Sequence, residues 1–518
     1  MIGKLSALAL VGALLFPALA LAQAPAGRQG QANQGAGSQG QNAGPGRSGP
    51  ATNTPAPGLP PLPADSRTSH VLSLPDRTLN FTATAGVIRL SDAESGAPRA
   101  DIAYIAFLKA DSDPRTRPVT FAFNGGPGSA SGWLNAGALG PWRLPISGDA
   151  VRPSAPPTLI DNADTWLDFT DLVFIDPPGT GYSRIIGGEE IRKQLWSVSG
   201  DVSAVATAIR RWTEANDRML SPKFITGESY GGLRGPKIVS QLQTDQGVGV
   251  NGLVLISPAL DLRSLGADAS VMGVAGRLPT MAAAHRESKG PITREGMKDV
   301  ENYASGPFIA DLMKGPNDKD AVARISAKVA EFTGLDPGLV TRLAGRVPTQ
   351  VFAREADRAT ERVGSRYDLS VPGFDPDPNG DRSNTPDQMS AGLNAPMIEA
   401  MVDMYHSRLK WVVENGRYIF ANDQAARQWD YGRLPPESIG DLRKALALDP
   451  GLRVLIAQGL TDTAVPYYMT RFLLDQIPFV GPADRLRFQV YPGGHMMYAR
   501  DASRVALRRD AQALIEGK

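Results

Sequence analysis

The chain contains no cysteine among its 518 residues. This absence excludes disulfide bonds, thiol catalysis and cysteine-ligated metal sites together. It also excludes anchoring through a lipid on an N-terminal cysteine. Core packing alone must therefore stabilise the fold, which for an exported protein favours a bacterial envelope over a eukaryotic secretory route.

Excess charge of either sign is also lacking. Lys and Arg number 54 and Asp and Glu 53, so the net charge is +1. Nothing in this balance favours a nucleic-acid partner or a polybasic membrane-binding surface. After the N-terminus no run of about 18 apolar residues occurs, so we expect no membrane span in the mature chain.

The N-terminus has the pattern of an export signal. Lys4 supplies a positive charge, residues 5–21 are apolar or small, and Ala20-Leu21-Ala22 offers a cleavage site. The run is short for an anchor helix and Pro17 interrupts it. The sequence therefore predicts a signal peptide over residues 1–22 and a location in the periplasm or outside the cell.

Residues 23–66 consist mainly of Gln, Gly, Ala, Pro, Ser and Asn. Such a segment buries too little apolar surface to offset the entropy of ordering it, so we expect a disordered linker. The texture changes from about residue 67, where a folded core is predicted.

Two kinds of strand pattern follow. Residues 78–90 and 102–108 alternate apolar and polar side chains, which is typical of antiparallel strands with one solvated face. Continuous apolar runs, which favour strands buried on both faces of a mostly parallel sheet, occur at 119–123, 172–175, 223–226, 253–256, 454–457 and 488–491. Residues 201–218 and 233–243 have the pattern of crossover helices, so the predicted fold class is α/β with helices on both faces.

Between the fourth and fifth of these runs the strand pattern disappears. Residues 263–400 contain helical stretches such as 321–332 and 339–343. Because the sheet pattern resumes afterwards, we interpret 263–400 as an inserted, mainly helical cap. The core then comprises residues 67–262 and 401–518.

Ser229 is the best candidate for a nucleophile. It lies in Gly-Glu-Ser-Tyr-Gly at 227–231, between a predicted strand and a predicted helix. A serine flanked by glycines at such a turn is the pattern of a nucleophile elbow. Chance supplies the five-residue pattern easily in a glycine-rich chain, so its surroundings must decide.

A base and an acid follow in the order expected of a catalytic triad. His495 comes after the last predicted strand and Asp462 after the strand before it, where parallel sheets present catalytic groups. The remaining histidines, His70, His285 and His406, are more simply surface or packing residues. Asp462 could instead cap a turn, but the order Ser229, Asp462, His495 is that of α/β-hydrolases.

Donors for an oxyanion are predicted in the glycine-rich loop after strand 119–123. The loop reads Asn-Gly-Gly-Pro-Gly at 124–128. Glycines let main-chain N–H groups approach a substrate closely. We expect the N–H groups of Gly126 and Tyr230 to form the oxyanion hole; the alternative is a simple Gly/Pro turn.

Four motifs together resemble the serine carboxypeptidases of the S10 family: those at 124–128, 176–183, 227–231 and 494–496. The resemblance implies an α/β-hydrolase fold with an inserted cap and removal of C-terminal residues from peptide or protein substrates, usually best at acidic pH. It implies that Ser229, His495 and Asp462 form the triad. Neither it nor the other motifs call for a metal or another cofactor.

The same resemblance implies that Asn124, Gly125 and Glu228 bind the terminal carboxylate of the substrate. Two carboxyl groups can pair only if one is protonated, which would explain an acidic optimum. The family usually places a second Glu where this chain has Ala138. Asn135 and Arg234 are candidates to substitute for it.

Three hypotheses for function remain open. The first is an exported serine carboxypeptidase, and the second is an esterase, amidase or acyltransferase with the same triad, which Ala138 favours. The third is a non-catalytic envelope binding protein on a hydrolase scaffold. The intact Ser, Asp and His argue against the third, because a binding protein has no use for all of them.

Overall fold

The structure is a computed structural model, and it describes residues 61–147, 151–265, 270–380, 386–478 and 481–518. The predicted signal peptide and residues 23–60 of the predicted linker lie outside the described residues. Within the described part, no helix has the length and apolarity needed to cross a membrane.

Fourteen strands are present in the described ranges: β1 Ser66–Ser73, β2 Thr78–Ser91, β3 Pro98–Lys109, β4 Val119–Phe123, β5 Trp142–Arg143, β6 Ile160–Asp161, β7 Asp171–Ile175, β8 Arg184–Ile185, β9 Lys223–Glu228, β10 Gly252–Ile256, β11 Arg362–Gly364, β12 Pro372–Phe374, β13 Arg453–Gly459 and β14 Leu486–Tyr491.

Sixteen α-helices accompany them in the same ranges: α1 Gly132–Leu134, α2 Glu189–Leu195, α3 Val198–Ala215, α4 Tyr230–Thr244, α5 Leu262–Leu265, α6 Val271–Glu287, α7 Lys298–Tyr303, α8 Ile309–Met313, α9 Lys319–Thr333, α10 Pro337–Arg342, α11 Thr349–Glu355, α12 Gln388–Asp403, α13 Asp423–Gln428, α14 Ile439–Leu448, α15 Tyr467–Leu474 and α16 Asp501–Glu516.

One large sheet organises the molecule. Its strand order is β1-β2-β3-β7-β4-β9-β10-β13-β14, with the short β8 paired to β3. The first three strands are antiparallel, and the six from β7 to β14 are parallel to one another. This confirms the predicted mostly parallel sheet.

Both faces of the sheet are covered, as continuous apolar strands require. Along β10, Leu253 and Leu255 face a core formed with α3, α4 and α14. Val254 and Ile256 face the opposite core, formed with α12 and α16. The alternation within one strand thus separates two cores on the two sides of the sheet.

The carboxyl ends of the parallel strands meet at one edge. There β4 leads into the loop at 124–128, β9 into Ser229, β13 into the loop containing Asp462, and β14 into the loop containing His495. The topology therefore brings four separate stretches of sequence to one place.

The segment predicted as a cap is mainly helical. Helices α6 to α11 pack around their own apolar cluster, which also includes Leu460, Tyr467 and Tyr468 from the loop and helix after β13. The predicted helices at 321–332 and 339–343 are α9 and α10. The domain boundaries at 262 and 400 stay predictions.

Some elements differ from expectation. Strand β1 pairs with β2 over eight residues, but its sequence is mostly polar and carries little apolar alternation. Strands β11 and β12 form a three-residue hairpin within the cap, too short to give a pattern. Helix α4 begins at Tyr230 rather than at 233. Its first turn contains Gly231 and Gly232, which normally disfavour a helix but are required here by close packing.

Candidate active site

Ser229 occupies a strained turn between β9 and α4. Its φ of 59° and ψ of −122° lie outside the regions that L-residues normally adopt. Such strain persists only where the surroundings enforce it. Here the Ser229 N–H donates to the carbonyl of Ile256 (3.0 Å), and the Ser229 carbonyl accepts from Gly232 (2.8 Å) and Ala259 (3.0 Å).

The glycines of the turn are sterically required. A Cβ on Gly227 would lie 2.2 Å from the carbonyl oxygen of Gly231, and one on Gly232 would lie 2.2 Å from Cβ of Pro258. A Cβ on Gly231 would meet the carbonyl oxygen of Phe123 at 2.9 Å. The pattern at 227–232 therefore reflects close backbone packing.

His495 and Asp462 are in contact beside this turn. Nδ1 of His495 lies 2.8 Å from Oδ2 of Asp462, and both side chains are buried. The other carboxylate oxygen of Asp462 accepts the N–H of Val465 at 2.9 Å. Asp462 therefore orients the imidazole, with Nδ1 as the nitrogen that donates to it.

The environment keeps the imidazole basic. Burial acts to lower the pKa of His495, but the charge and hydrogen bond of Asp462 and the charge of Glu228 act to raise it, and the net effect is a raised pKa. A base with a raised pKa accepts a proton more readily.

The glycine-rich loop lies against the elbow. A Cβ on Gly125 would sit 2.5 Å from the amide nitrogen of Tyr230 and 2.9 Å from Cβ of Ser229. Gly126 has a φ of 100°, which favours glycine. The two residues predicted to supply the oxyanion hole thus come from loops in direct contact.

Glu228 is buried next to Ser229 and makes two hydrogen bonds through one oxygen. Its Oε2 accepts from Nδ2 of Asn124 (2.8 Å) and from the hydroxyl of Tyr498 (2.7 Å). Burial raises the pKa of Glu228 to about 7, although the nearby His495 and these two donors lower it. A carboxyl group that is neutral just below pH 7 can donate a hydrogen bond to an anion.

Tyr498 is the residue that sequence reasoning missed. It lies in the short helical turn Met497–Ala499 after His495, and its ring packs near Gly137. No motif marks it, because a tyrosine beside a catalytic histidine has no spacing that distinguishes it from a core residue.

Neither of the two residues predicted to compensate for Ala138 makes a hydrogen bond to Glu228. Arg234 donates to the carboxylate of Asp201 (2.6 Å) and to the main-chain carbonyl of Asn124 (2.7 Å). The buried side-chain amide of Asn135 has no hydrogen-bond partner among the described residues. Arg234 thus holds the backbone of the glycine-rich loop, while Tyr498 contacts Glu228.

A pocket of about 270 Å³ opens at this edge of the sheet. Seven of the eight predicted site residues line it: Asn124, Gly125, Gly126, Glu228, Ser229, Tyr230 and His495. The eighth, Asp462, lies behind His495 and contacts its Nδ1. None of His70, His285 and His406 lines it. His70 instead packs against Phe81 and Trp142.

Residues 365–370, within the segment predicted as a cap, connect the loop that carries Asp462 with the loop that carries His495. The carboxylate of Asp368 accepts from the Gly494 N–H (3.0 Å) and from Oγ1 of Thr461 (2.6 Å), the residues immediately before His495 and Asp462. The carbonyl of Tyr367 accepts the His495 N–H at 2.5 Å. Hence residues 365–370 contact the loops that carry His495 and Asp462.

The model of the serine carboxypeptidase family matches residues 75–501. The chain belongs to the serine carboxypeptidase family. Its α/β-hydrolase fold is confirmed by a prohormone-processing carboxypeptidase from Saccharomyces cerevisiae, which is 15% identical with a TM-score of 0.52 and aligns over 84% of this chain and 91% of its own.

Curated relatives match over shorter stretches. Serine carboxypeptidase-like 16 of Arabidopsis thaliana is 28% identical over 169 residues, which is 31% of this chain and 38% of the relative. Serine carboxypeptidase-like 17 of the same plant is 26% identical over 191 residues, or 35% and 41%. The chain thus spans about two fifths of the length of these relatives.

Proposed function

We propose that this protein is an exported serine carboxypeptidase that removes residues from the C-termini of peptides. Ser229 is the nucleophile, His495 the general base and Asp462 the residue that orients it. Asn124, Gly125 and Glu228 bind the terminal carboxylate, and the N–H groups of Gly126 and Tyr230 stabilise the oxyanion.

The observation that carries this proposal is Glu228. A buried carboxyl group with a pKa of about 7 lines the pocket directly beside the candidate nucleophile. A hydrolase that only needed to accommodate an internal peptide bond or a neutral ester would gain nothing from a buried acid there. A hydrolase that binds a free carboxylate gains a hydrogen-bond donor at acidic pH.

The proposed chemistry follows from the positions of the side chains. His495 takes the proton of the Ser229 hydroxyl as the Ser229 oxygen attacks the scissile carbonyl. The resulting oxyanion accepts hydrogen bonds from main-chain N–H groups. His495 then protonates the departing amine, leaving an acyl-enzyme on Ser229. Water, deprotonated by His495, hydrolyses the ester and restores the enzyme.

Labelling tests the nucleophile. We expect a fluorophosphonate probe to modify the wild-type protein and to leave Ser229→Ala unlabelled, with kcat lowered by at least about 10³-fold. Equal labelling of both proteins would exclude Ser229.

Paired substrates test the specificity. An N-blocked dipeptide with a free C-terminus, its C-terminal amide and a small ester are compared at pH 5.5–6.5. We expect the free acid to be hydrolysed with kcat/KM at least about tenfold above the amide, because only the acid pairs with Glu228. Equal rates for acid and amide, or turnover of the ester alone, would instead favour the esterase or amidase hypothesis.

Export is a separate part of the proposal. The basis is the pattern of residues 1–22. N-terminal sequencing of the protein recovered from the periplasm or medium of a bacterial host should give Gln23 as the first residue. Recovery of the full-length chain from the cytoplasm alone would contradict it.

A further inference from the structure

The pocket has one cationic side chain that the proposed chemistry does not use. Arg366 comes from the cap, is exposed, and lines the pocket with Ser229 and His495. Its guanidinium stacks over the ring of Tyr367 at 4.8 Å and donates a long hydrogen bond to the Tyr367 hydroxyl (3.3 Å). Among the described residues, no carboxylate lies within ion-pair distance of it.

The backbone of Arg366 is fixed relative to the triad. Its N–H donates to Oδ2 of Asp387 (2.8 Å), and its carbonyl accepts both the N–H (3.2 Å) and the hydroxyl (2.7 Å) of Thr463. Thr463 directly follows Asp462. The flexible side chain therefore starts from an anchored position beside the catalytic loops.

The charges that line the pocket leave Arg366 without a competitor. Of the described lining residues, only Glu228, His495 and Arg366 can carry charge near neutral pH, and Glu228 is largely neutral below pH 7. Arg366 also acts to lower the pKa of His495, so its field reaches the base. An anionic group of a substrate would find this guanidinium unpaired.

The lining of the pocket includes neutral polar side chains near Arg366. Ser390 and Asn394 of α12 line it, and Asp387 at the start of α12 accepts the Arg366 N–H. A planar guanidinium beside neutral hydrogen-bonding groups suits a carboxylate, which it can bind through two parallel hydrogen bonds.

The position of Arg366 relative to His495 indicates which substrate residue it faces. His495 gives its proton to the departing amine, so the C-terminal residue that leaves must lie on the His495 side of Ser229. Tyr367 packs against His495, with ring centroids 5.3 Å apart, and Arg366 is its neighbour in the chain. We propose that Arg366 binds an acidic side chain of the departing residue and makes the enzyme prefer peptides that end in Glu or Asp.

The inference rests on the proposed function, and one experiment separates the two. N-blocked Phe-Glu, Phe-Gln and Phe-Lys, all with free C-termini, are assayed at pH 6.5, where a glutamate side chain is ionised and Glu228 is still largely protonated. We expect kcat/KM for Phe-Glu to exceed that for Phe-Gln by about five- to tenfold, because charge-assisted bonds to Arg are among the stronger ones. The ratio should fall in 0.5 M salt, since the guanidinium is exposed.

Variants locate the effect. Arg366→Gln should bring the Phe-Glu to Phe-Gln ratio of kcat/KM to about one, and Arg366→Glu should favour Phe-Lys. Because the ratio is taken within each variant, a change in the pKa of His495 affects both substrates alike. The matched control is Arg362→Gln, because Arg362 is also an exposed cap arginine stacked on an aromatic ring, that of Phe374 at 4.9 Å, but does not line the pocket. It should keep the wild-type ratio. Melting temperatures should agree among all four proteins.

Several outcomes would overturn the inference. Equal hydrolysis of Phe-Gln and Phe-Glu by the wild-type enzyme would contradict the inference but leave the proposed function intact. An Arg366→Gln variant that keeps the preference for Phe-Glu would have the same meaning. A preference confined to the penultimate residue, measured with Glu-Phe and Gln-Phe, would also contradict it. Failure to hydrolyse any of the dipeptides would contradict the proposed function and the inference with it.

Discussion

At the scale of single residues, Glu228 is the group expected to control the pH dependence of substrate binding. Its Oε2 is occupied by Asn124 and Tyr498, so a proton on this carboxyl group belongs on Oε1. With a pKa of about 7 the group is a donor below that pH and a buried anion above it. In the proposed function, an anion there would repel the substrate carboxylate, whereas a neutral acid would bind it.

Glu228→Gln should therefore abolish the pH dependence of KM for a substrate with a free C-terminal carboxylate. In the wild type, KM for a free-acid dipeptide is expected to rise about tenfold per pH unit above pH 7, because binding requires the protonated form. The glutamine amide stays neutral and keeps a donor, so KM of the variant should be flat between pH 6 and 8.5. A variant whose KM still rises with the same midpoint would show that another group titrates.

The variant should also change kcat at and above pH 7, where Glu228 is ionised. The charge of Glu228 is one of the causes that raise the pKa of His495. A raised pKa means that the imidazole is protonated, and so inactive as a base, at higher pH than usual. Removing the charge of Glu228 should therefore increase the unprotonated fraction of His495 and raise kcat near pH 7, as measured with an amide or ester substrate that does not depend on Glu228.

Tyr498 is a positioning residue for the same carboxyl group. Its O–H donates to Oε2 of Glu228 and thereby lowers the pKa of that group. In Tyr498→Phe the midpoint of the KM profile should move to higher pH by up to about one unit, since one hydrogen bond to a charged group is lost.

The control for Tyr498→Phe is Tyr418→Phe. Tyr418 is equally buried, but its hydroxyl has no hydrogen-bond partner among the described residues. It should leave the KM midpoint in place. If both variants lower kcat alike and move no midpoint, the role of Tyr498 is packing alone.

At the scale of elements, residues 365–370 connect the loops that carry Asp462 and His495. Asp368 accepts hydrogen bonds from the loops of both Asp462 and His495, and Arg500 pairs with it at 3.2 Å. Its carboxylate is buried and has donors on both oxygens. In asparagine an NH2 group would replace one of these oxygens and would face a hydrogen-bond donor.

Asp368→Asn should consequently lower kcat by about ten- to a hundredfold with little change in KM, because small displacements of catalytic groups are costly. Asp171→Asn is the matched control. Asp171 is a buried carboxylate that accepts from Arg117 (2.7 Å) and Arg218 (2.6 Å), but it begins β7 and so lies at the amino-terminal ends of the parallel strands, away from the site. Both variants should lose thermal stability, and only Asp368→Asn should lose kcat. If Asp368→Asn and Asp171→Asn have the same kcat, Asp368 does not position the loops that carry Asp462 and His495.

At the scale of the whole molecule, the chain just before β1 is part of the fold. Asp65 accepts from the hydroxyl of the buried Tyr104 (2.8 Å) and from the N–H of Val87 (3.1 Å). Trp411, from the far end of the sequence, donates its indole N–H to the carbonyl of Ala64 at 3.0 Å. These bonds tie the start of the antiparallel part of the sheet to the last third of the chain.

Two truncations should accordingly behave differently. A chain of residues 61–518 should match the mature protein in melting temperature and kcat/KM, because the segment removed has the composition of a linker. A chain of residues 66–518 keeps all of β1 but leaves Tyr104 and Trp411 unpaired, at a cost of about 1–3 kcal/mol each in the free energy of unfolding. Equal melting temperatures for the two truncated chains would contradict the role assigned to residues 61–65.

The predictability of the fold follows the burial of its strands. The parallel strands were predictable because both of their faces are apolar, as in Leu253–Ile256 of β10. The polar edge strand β1 and the three-residue hairpin of β11 and β12 were not, since their pairing depends on distant partners rather than on local pattern. The first turn of α4 was also unpredictable, because it contains the glycines at 231 and 232. These glycines are required by close packing against Phe123 and Pro258, which the local pattern does not show.

Sequence alone determined which residue types can do chemistry: an elbow serine, a glycine-rich loop and a later Asp and His, each next to a buried strand. It could do so because parallel strands end at one edge, so local patterns predict proximity. The contacts of Tyr498 with Glu228, of Asp368 with both catalytic loops and of Arg366 with the pocket were decided only by tertiary structure. These side chains belong to stretches without periodic pattern, and what surrounds them is set by chain segments more than 30 residues away in sequence.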